Sequence, residues 1–261
     1  MKNFLEERNP GIIVLGYIFL ILLLYLSCHF LFEVPLPTSE NLYRWDTGWY
    51  LSILENGYEF NPNSQSNSAF FPLFPFFWKF LGVDAFWISI INGLIFLLSF
   101  YLLSRVFQFK NWQSLLFISA PSLFFCFVAY SEAFFFLTST ILLIGYKRPR
   151  RSLTAAGIFF SSMARSASML FLPAILLSEV PMMKRLNWKS WLWNLLIFVG
   201  AALMGMAAVM FIQYLDTGKW FVLFEVMKQW DRNLKIPILP YWTWGPRIIY
   251  GWMAIAFSFV S

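Results

Sequence analysis

The sequence predicts an all-α, polytopic membrane protein, and its composition, its apolar runs and its charge placement all support this fold class. Apolar residues make up 59% of the chain, aromatic residues 21% and charged residues only 12%. This is about half the charge of an ordinary soluble domain. The net charge of +6 is spread between the apolar runs, so nucleic acid is not an expected partner and the lipid bilayer is. We expect residues 1–261 to form a single transmembrane domain.

Three apolar runs are long enough to cross a membrane as single helices, since one crossing takes about 20 residues. They cover residues 11–32, 85–107 and 191–214. A second outer loop is expected at residues 216–241, after which the chain re-enters the membrane at Trp244.

Two further apolar segments predict less regular paths. Residues 70–81 are too short to cross and have Pro72 and Pro75 near their start, where a helix tolerates proline, so they predict a partly inserted helix. Residues 112–146 are long enough for two crossings, with a break at residues 129–132.

Basic residues predict the orientation of the chain. Eleven of the 19 fall in four segments that flank the apolar runs. They are Lys2 and Arg8, Arg105 and Lys110, residues 147–151, and residues 184–189. Cytoplasmic loops are enriched in Lys and Arg, so we place these segments in the cytoplasm, and Asp46 and Glu132 then face outward.

The same rule predicts a broken helix pair near Arg165. Residues 152–180 have basic flanks on both sides, so both ends should be cytoplasmic and the segment must rise and return. Arg165 lies about 14 residues after Arg151, which is roughly 21 Å of helical rise. We expect two short helices to meet there, and such a break is tolerated where it is buried in protein or lines a cavity.

Asp46 is the candidate general base. Trp45 and Trp49 are four residues apart, as are Asp46 and Tyr50, so an amphipathic helix is predicted along the outer surface with its aromatic residues toward lipid. A carboxylate in this position is partly desolvated, which raises its proton affinity toward the range useful for a base. The alternative is an exposed loop carboxylate or a helix cap.

Arg165 is the candidate phosphate ligand, because guanidinium holds phosphate in a bidentate fork and an ionisable residue inside a membrane domain marks a functional position. The alternative is a structural arginine at a helix end. Arg44 could assist as a second phosphate ligand. Glu132 either belongs to the site or caps the helix that follows it. We recognise no zinc site, phosphate-binding glycine loop or Ser-His-Asp arrangement, so no metal ligand is predicted and a divalent metal is left open.

Several short segments occur in an order that one family of membrane enzymes shares. They are Arg44-Trp45-Asp46 with Trp49-Tyr50 and Gly57-Tyr58, Phe70-Phe71-Pro72-Leu73-Phe74-Pro75, Tyr130-Ser131-Glu132, Ala164-Arg165-Ser166 and, more weakly, Trp230-Asp231-Arg232. With them the chain resembles the PIG-V type of membrane mannosyltransferase, a branch of the GT-C superfamily that includes bacterial relatives.

The resemblance implies a GT-C-like helical bundle whose active site faces the lumen or periplasm. It implies a polyprenyl-phosphate sugar, typically mannose, as donor, which needs no nucleotide, and inverting transfer to a glycan, glycolipid or protein acceptor. Asp46 matches the family's catalytic acid residue, and Arg165 and Arg44 would hold the donor phosphate. The other candidates for substrate binding are Trp45, Trp49, Tyr50, Tyr58, Glu132, Trp230 and Arg232.

Relatives continue with several more helices, so the family's C-terminal helices are expected to be missing from this chain. The bacterial inner membrane is favoured over the endoplasmic reticulum, because the chain has no Asn-X-Ser/Thr sequon. Two other classes stay open. One is a transporter or lipid flippase, which would also have broken helices and intramembrane charge. The other is a non-catalytic membrane subunit of the same fold.

Overall fold

The computed structural model describes residues 2–183 and 188–230, and every regular element in this part of the chain is helical. The α-helices are α1 (Lys2–Glu6), α2 (Pro10–Phe32), α3 (Ser39–Leu42), α4 (Asp46–Asn56), α5 (Leu73–Leu81), α6 (Ala85–Phe107), α7 (Asn111–Ile118), α8 (Glu132–Lys147), α9 (Arg151–Ala164), α10 (Phe171–Met183), α11 (Trp188–Thr217) and α12 (Val222–Gln229). Three 3-10 helices cover Asn67–Ala69, Pro121–Phe127 and Ser166–Leu170. The predicted re-entry at Trp244 lies outside the described residues.

The protein is a multi-pass membrane protein by the length and composition of its helices. Helices α2, α6 and α11, with 23, 23 and 30 residues, are long and apolar enough to cross a membrane, which confirms the three predicted spans. The 3-10 helix Pro121–Phe127 and α8 make a fourth if they form one broken span. Only 6% of the apolar window of α2 is buried, against 50% for α6. Exposed leucine and phenylalanine side chains on α2 therefore face the surrounding lipid.

Both predicted breaks are present. The 3-10 helix ends at Phe127 and α8 begins at Glu132, with a bend of 102° between the two. Helix α9 ends at Ala164, and Arg165 has an extended backbone with φ −158° and ψ 151°. The chain before the first break is less regular than the predicted crossing, because it is divided into α7 and the 3-10 helix Pro121–Phe127. Helix α7 stops at Ile118 because Pro121 disfavours a helical conformation in the residue that precedes it.

Helices α8, α9 and α11 approach one another closely at three glycines. A Cβ atom added to Gly145 would lie 2.5 Å from the backbone nitrogen of Thr154, and one added to Gly157 would lie 2.4 Å from that of Leu142. At Gly205 the carbonyl oxygen of Phe159 would be 2.5 Å away. Small residues allow such backbone contact between membrane helices. The tight α8–α9 hairpin places the start of α8 and the end of α9 at the same end of the bundle.

Basic residues collect at the opposite end. Lys110 forms an ion pair with Glu6, at the start of the chain. The ammonium of Lys147 lies over the ring of Phe107, at 5.8 Å from its centroid. The first three of the four segments that the charge pattern assigns to the cytoplasm are thus neighbours. In the fourth segment, Lys184 and Arg185 lie outside the described residues.

Helix α4 does not present its aromatic residues to lipid, so that prediction is wrong for Trp49 and Tyr50. Tyr50 is 3% exposed, and its ring contacts Phe70 and Phe74 edge-on, with centroid separations of 5.1 and 4.9 Å. Trp49 stacks on Phe70 at 6.2 Å. These aromatic neighbours bury Tyr50 and partly bury Trp49 against the core, whereas Trp45, with 77% of its surface exposed, points outward.

Candidate active site at the two helix breaks

The first break is fixed by a buried amide. Asn92, in the middle of α6, is fully buried and donates hydrogen bonds from Nδ2 to the carbonyl oxygens of Val128 (2.7 Å) and Tyr130 (2.9 Å). The chain is extended at Val128, which interrupts the helical hydrogen-bond pattern, and the carbonyl of Val128 also accepts from the backbone amide of Tyr130 at 2.7 Å. Inside a membrane domain an unpaired carbonyl is costly. Asn92 therefore holds the break in one conformation.

Asp46 is placed by a tight turn that rests on this break. The amide of Thr47 donates to the carbonyl oxygen of Arg44 at 3.1 Å, and Trp45 takes φ +48° inside the turn. A positive φ is strained for a tryptophan, and such strain persists where surrounding contacts hold it. Those contacts come from Tyr130. Its hydroxyl donates to the carbonyl oxygen of Arg44 at 3.2 Å and accepts from the amide of Asp46 at 3.3 Å.

Arg165 is placed by the same break, through the two residues that follow Tyr130. Its Nη1 atom forms an ion pair with Oε1 of Glu132 and donates a hydrogen bond to Oγ of Ser131 at 3.3 Å. The Arg165 side chain is 35% exposed and that of Glu132 24%. Glu132 is the first residue of α8, where the helix dipole favours a carboxylate. The glutamate therefore does more than cap the helix.

Asp46 and Arg165 line one small polar cavity of about 40 Å³. The complete lining is Asp46, Tyr50, Ala69, Phe70, Phe71, Ser131, Ala164, Arg165 and Ser166. An acidic and a basic side chain thus line the same cavity, at the end of the bundle away from the basic loops. The volume suits on the order of one to three water molecules.

Tyr50 supplies a fixed donor in the wall of this cavity. Its hydroxyl donates to Oγ of Ser131 at 2.8 Å. Burial raises the pKa of Tyr50 well above its ordinary value, and the nearby carboxylates of Glu132 and Asp46 add to this effect. The phenol therefore stays protonated and keeps donating to Ser131 at any physiological pH.

An aromatic cluster adjoins the cavity at Phe70. Trp230 contacts Phe70 and Trp49 edge-on, at centroid separations of 5.6 and 5.4 Å. The indole nitrogen of Trp230 donates to the carbonyl oxygen of Ser66 at 3.4 Å. Two predicted substrate-binding residues are thus brought together beside the cavity, although neither lines it.

Other candidates lie away from the cavity. Arg44 and Trp45 are exposed, and only their backbone takes part in the turn. Tyr58 is buried, and its hydroxyl donates to the carbonyl oxygen of Phe70 at 3.1 Å, which makes it a core residue. Arg232 lies outside the described residues.

Three polar residues of the site were missed as individual candidates: Asn92, Tyr130 and Ser131. Tyr130 and Ser131 belong to the segment that ends in Glu132, but their side-chain roles depend on contacts distant in sequence. Asn92 could have been predicted from the sequence, since a side-chain amide in the middle of an apolar span needs a buried hydrogen-bond partner.

Within the described parts of the chain, no group of three or more His, Cys, Asp and Glu side chains is arranged to hold a metal ion. The arrangement that is present combines a carboxylate with a guanidinium, which suits proton transfer next to an anionic group. Comparisons with protein-family models, with curated proteins and with solved structures found no match.

Proposed function

We propose that this protein is a membrane glycosyltransferase that moves a sugar, mannose in the first instance, from a polyprenyl-phosphate donor to an acceptor hydroxyl on the outer face. The observation that carries the proposal is that Asp46 and Arg165 line one cavity at the helix breaks. The resemblance of the surrounding segments to PIG-V type enzymes supports the choice of donor. The bacterial inner membrane is the proposed location.

In the proposed reaction Asp46 is the general base. Its carboxylate takes the proton of the acceptor hydroxyl as that oxygen attacks the anomeric carbon of the donor. The bond from the anomeric carbon to the phosphate oxygen breaks, and its electron pair leaves with the polyprenyl phosphate. Attack opposite to the leaving group inverts the configuration of the sugar.

Arg165 stabilises the leaving phosphate. Charge grows on the phosphate oxygens as the glycosidic bond breaks, and a guanidinium already in place stabilises that charge without reorganising at the moment of reaction. Its contacts with Glu132 and Ser131 keep it in place. The side chain of Arg44 is exposed and has no such anchoring contact with the residues that the structure describes, so we assign the phosphate to Arg165.

The sugar ring needs more room than the cavity has. Small-molecule sites occupy about 300–1,000 Å³, whereas this cavity measures about 40 Å³. We therefore propose that the reacting atoms enter the cavity while the ring lies at its mouth, beside Phe70 and the aromatic cluster of Trp49 and Trp230. Aromatic faces suit the apolar face of a pyranose.

A lipid flippase is the second candidate, and the broken helices favour it. The bend of 102° before α8 and the ionisable residues beside it are features of transporters as well. A flippase would move a lipid-linked sugar across the bilayer and leave its glycosidic bond intact.

The test uses proteoliposomes of the purified protein, radiolabelled polyprenyl-phosphate mannose and an acceptor fraction extracted from the host membranes. The proposal expects label to move to the acceptor with inverted anomeric configuration, and to stay on the donor with Asp46→Asn. Movement of intact donor across the bilayer without transfer would favour the flippase. No transfer to any acceptor and no transport would contradict both candidates.

A further inference from the structure

We infer that Glu132 is a positioning residue, which holds Arg165 so that the free edge of its guanidinium meets the donor phosphate. The inference rests on the proposed function, because the phosphate is that of the proposed donor. It assigns Glu132 a role that differs from direct substrate binding and from capping α8.

The contacts of Arg165 carry this inference. Glu132 and Ser131 both contact the same nitrogen of the guanidinium, Nη1. Among the residues that the structure describes, no partner contacts Nη2 or Nε. These two nitrogens form the side-on fork of an arginine, which matches two oxygens of a phosphate with parallel hydrogen bonds. Within the described part of the chain, the guanidinium is thus anchored at one corner and open along the edge that a phosphate would use.

The anchor itself is rigid. Ser131 is 2% exposed, and its hydroxyl oxygen accepts from Tyr50 as well as from Arg165. The preceding carbonyl, of Tyr130, is held by Asn92, and Glu132 lies in the first turn of α8. A free arginine side chain loses much rotamer freedom when it binds a ligand. An anchored one has lost that freedom already, so phosphate binding costs less.

A competing role for Glu132 predicts the opposite sign. If the carboxylate only occupied the place of the phosphate, the donor would have to displace it, and removing it would strengthen donor binding. If Glu132 positions Arg165, removing it weakens donor binding. The sign of the effect therefore separates the two roles.

The experiment measures donor KM and kcat, and the Kd of farnesyl phosphate as a simple polyprenyl phosphate, for the purified protein in detergent. Glu132→Ala is expected to raise KM and Kd by on the order of tenfold, the usual effect of losing a hydrogen bond to a charged group, with a smaller change in kcat. Glu132→Gln should recover most of the affinity, because its amide oxygen still accepts from Nη1. Glu225→Ala, which removes an exposed carboxylate on α12, is the matched control.

A double-mutant cycle isolates the action through Arg165. In an Arg165→Ala background, Glu132→Ala should change the Kd little further, because the group that it positions is gone. If Glu132→Ala does not fold, Ser131→Ala removes the other contact to Nη1 and is read in the same way.

The inference would be overturned if Glu132→Ala bound farnesyl phosphate as tightly as the wild type or more tightly, or if the effects in the cycle were additive. The proposed function would stand in either case, provided that the wild-type protein transfers sugar. A wild-type protein that neither transfers sugar nor binds farnesyl phosphate would overturn the proposed function and the positioning role with it.

Discussion

The backbone amide of Asp46 donates a hydrogen bond to the hydroxyl of Tyr130 at 3.3 Å, and this contact joins the turn before α4 to the break before α8. The next residue, Ser131, accepts a hydrogen bond from Arg165, and Glu132 forms an ion pair with the same guanidinium. Three consecutive residues at one break therefore hold both the proposed base and the proposed phosphate ligand.

Tyr130→Phe should loosen the turn that presents Asp46. The change leaves the amide of Asp46 and the carbonyl of Arg44 without the hydroxyl between them. We expect a loss of about 1–2 kcal/mol of unfolding free energy and a lower transfer rate at unchanged donor affinity. Thermal unfolding in detergent and the transfer assay measure the two effects. Tyr43→Phe, at an exposed tyrosine next to the turn, is the control, and equal behaviour of both variants would show that the Tyr130 contact does not matter.

Gly157→Ala should destabilise the protein, because the added methyl would meet the backbone of Leu142 at 2.4–2.5 Å. Overpacking of this kind typically costs about 1–3 kcal/mol. Gly205→Ala on α11 should behave in the same way. Gly200→Ala is a matched control on the same helix, since no atom lies within 4 Å of its added Cβ. Similar melting temperatures for Gly205→Ala and Gly200→Ala would refute the close contact of α9 and α11.

Arg165→Lys should remain impaired in donor binding. The ammonium of lysine keeps the positive charge but lacks the planar fork of the guanidinium. It therefore cannot contact Glu132 and Ser131 on one side and a phosphate on the other, as arginine can. We expect donor KM to rise by on the order of tenfold or more, the effect of losing a charge-assisted hydrogen bond. Donor titrations at fixed acceptor measure it. A lysine variant with wild-type KM would show that Arg165 acts as a simple charge or has no contact with the phosphate.

The orientation is tested with single cysteines after Cys28 and Cys126 are replaced. A cysteine at Trp45, which is exposed beside the site, should react with a membrane-impermeant maleimide added from outside. A cysteine at Pro149, between the basic residues that precede α9, should react only after the membrane is opened. If Pro149→Cys were labelled from outside, the topology would be the opposite of the predicted one, and the site would face the cytoplasm.

The long-range organisation of the fold could be predicted from the sequence because length, apolarity and charge act at the scale of whole helices. The spans α2 and α6 follow from run length, and the break at Arg165 follows from basic flanks on both sides of one segment. The same argument placed Asp46 and Glu132 on one face, which agrees with the cavity and the ion pair at the two breaks.

The local contacts could not be predicted in this way. Spacing by four residues shows that Asp46 and Tyr50 share a face of α4, but it does not show which face packs inward. The rings of Phe70 and Phe74 decide that, and they belong to a different segment. The roles of Tyr130 and Ser131 likewise depend on partners in α4 and after α9, far along the chain.

The most direct test of the account is the transfer rate of Asp46→Asn. Asparagine is nearly isosteric and keeps the backbone amide that Tyr130 holds, so the variant should fold, insert and bind the donor. Transfer should fall by on the order of 10²–10⁴, the usual contribution of a positioned acid or base, and Asp46→Glu should recover little because the carboxylate is displaced. Glu132→Gln, which retains an acceptor for Arg165, should lose far less. Near-normal transfer by Asp46→Asn together with loss of transfer by Glu132→Gln would contradict the account and identify Glu132 as the base.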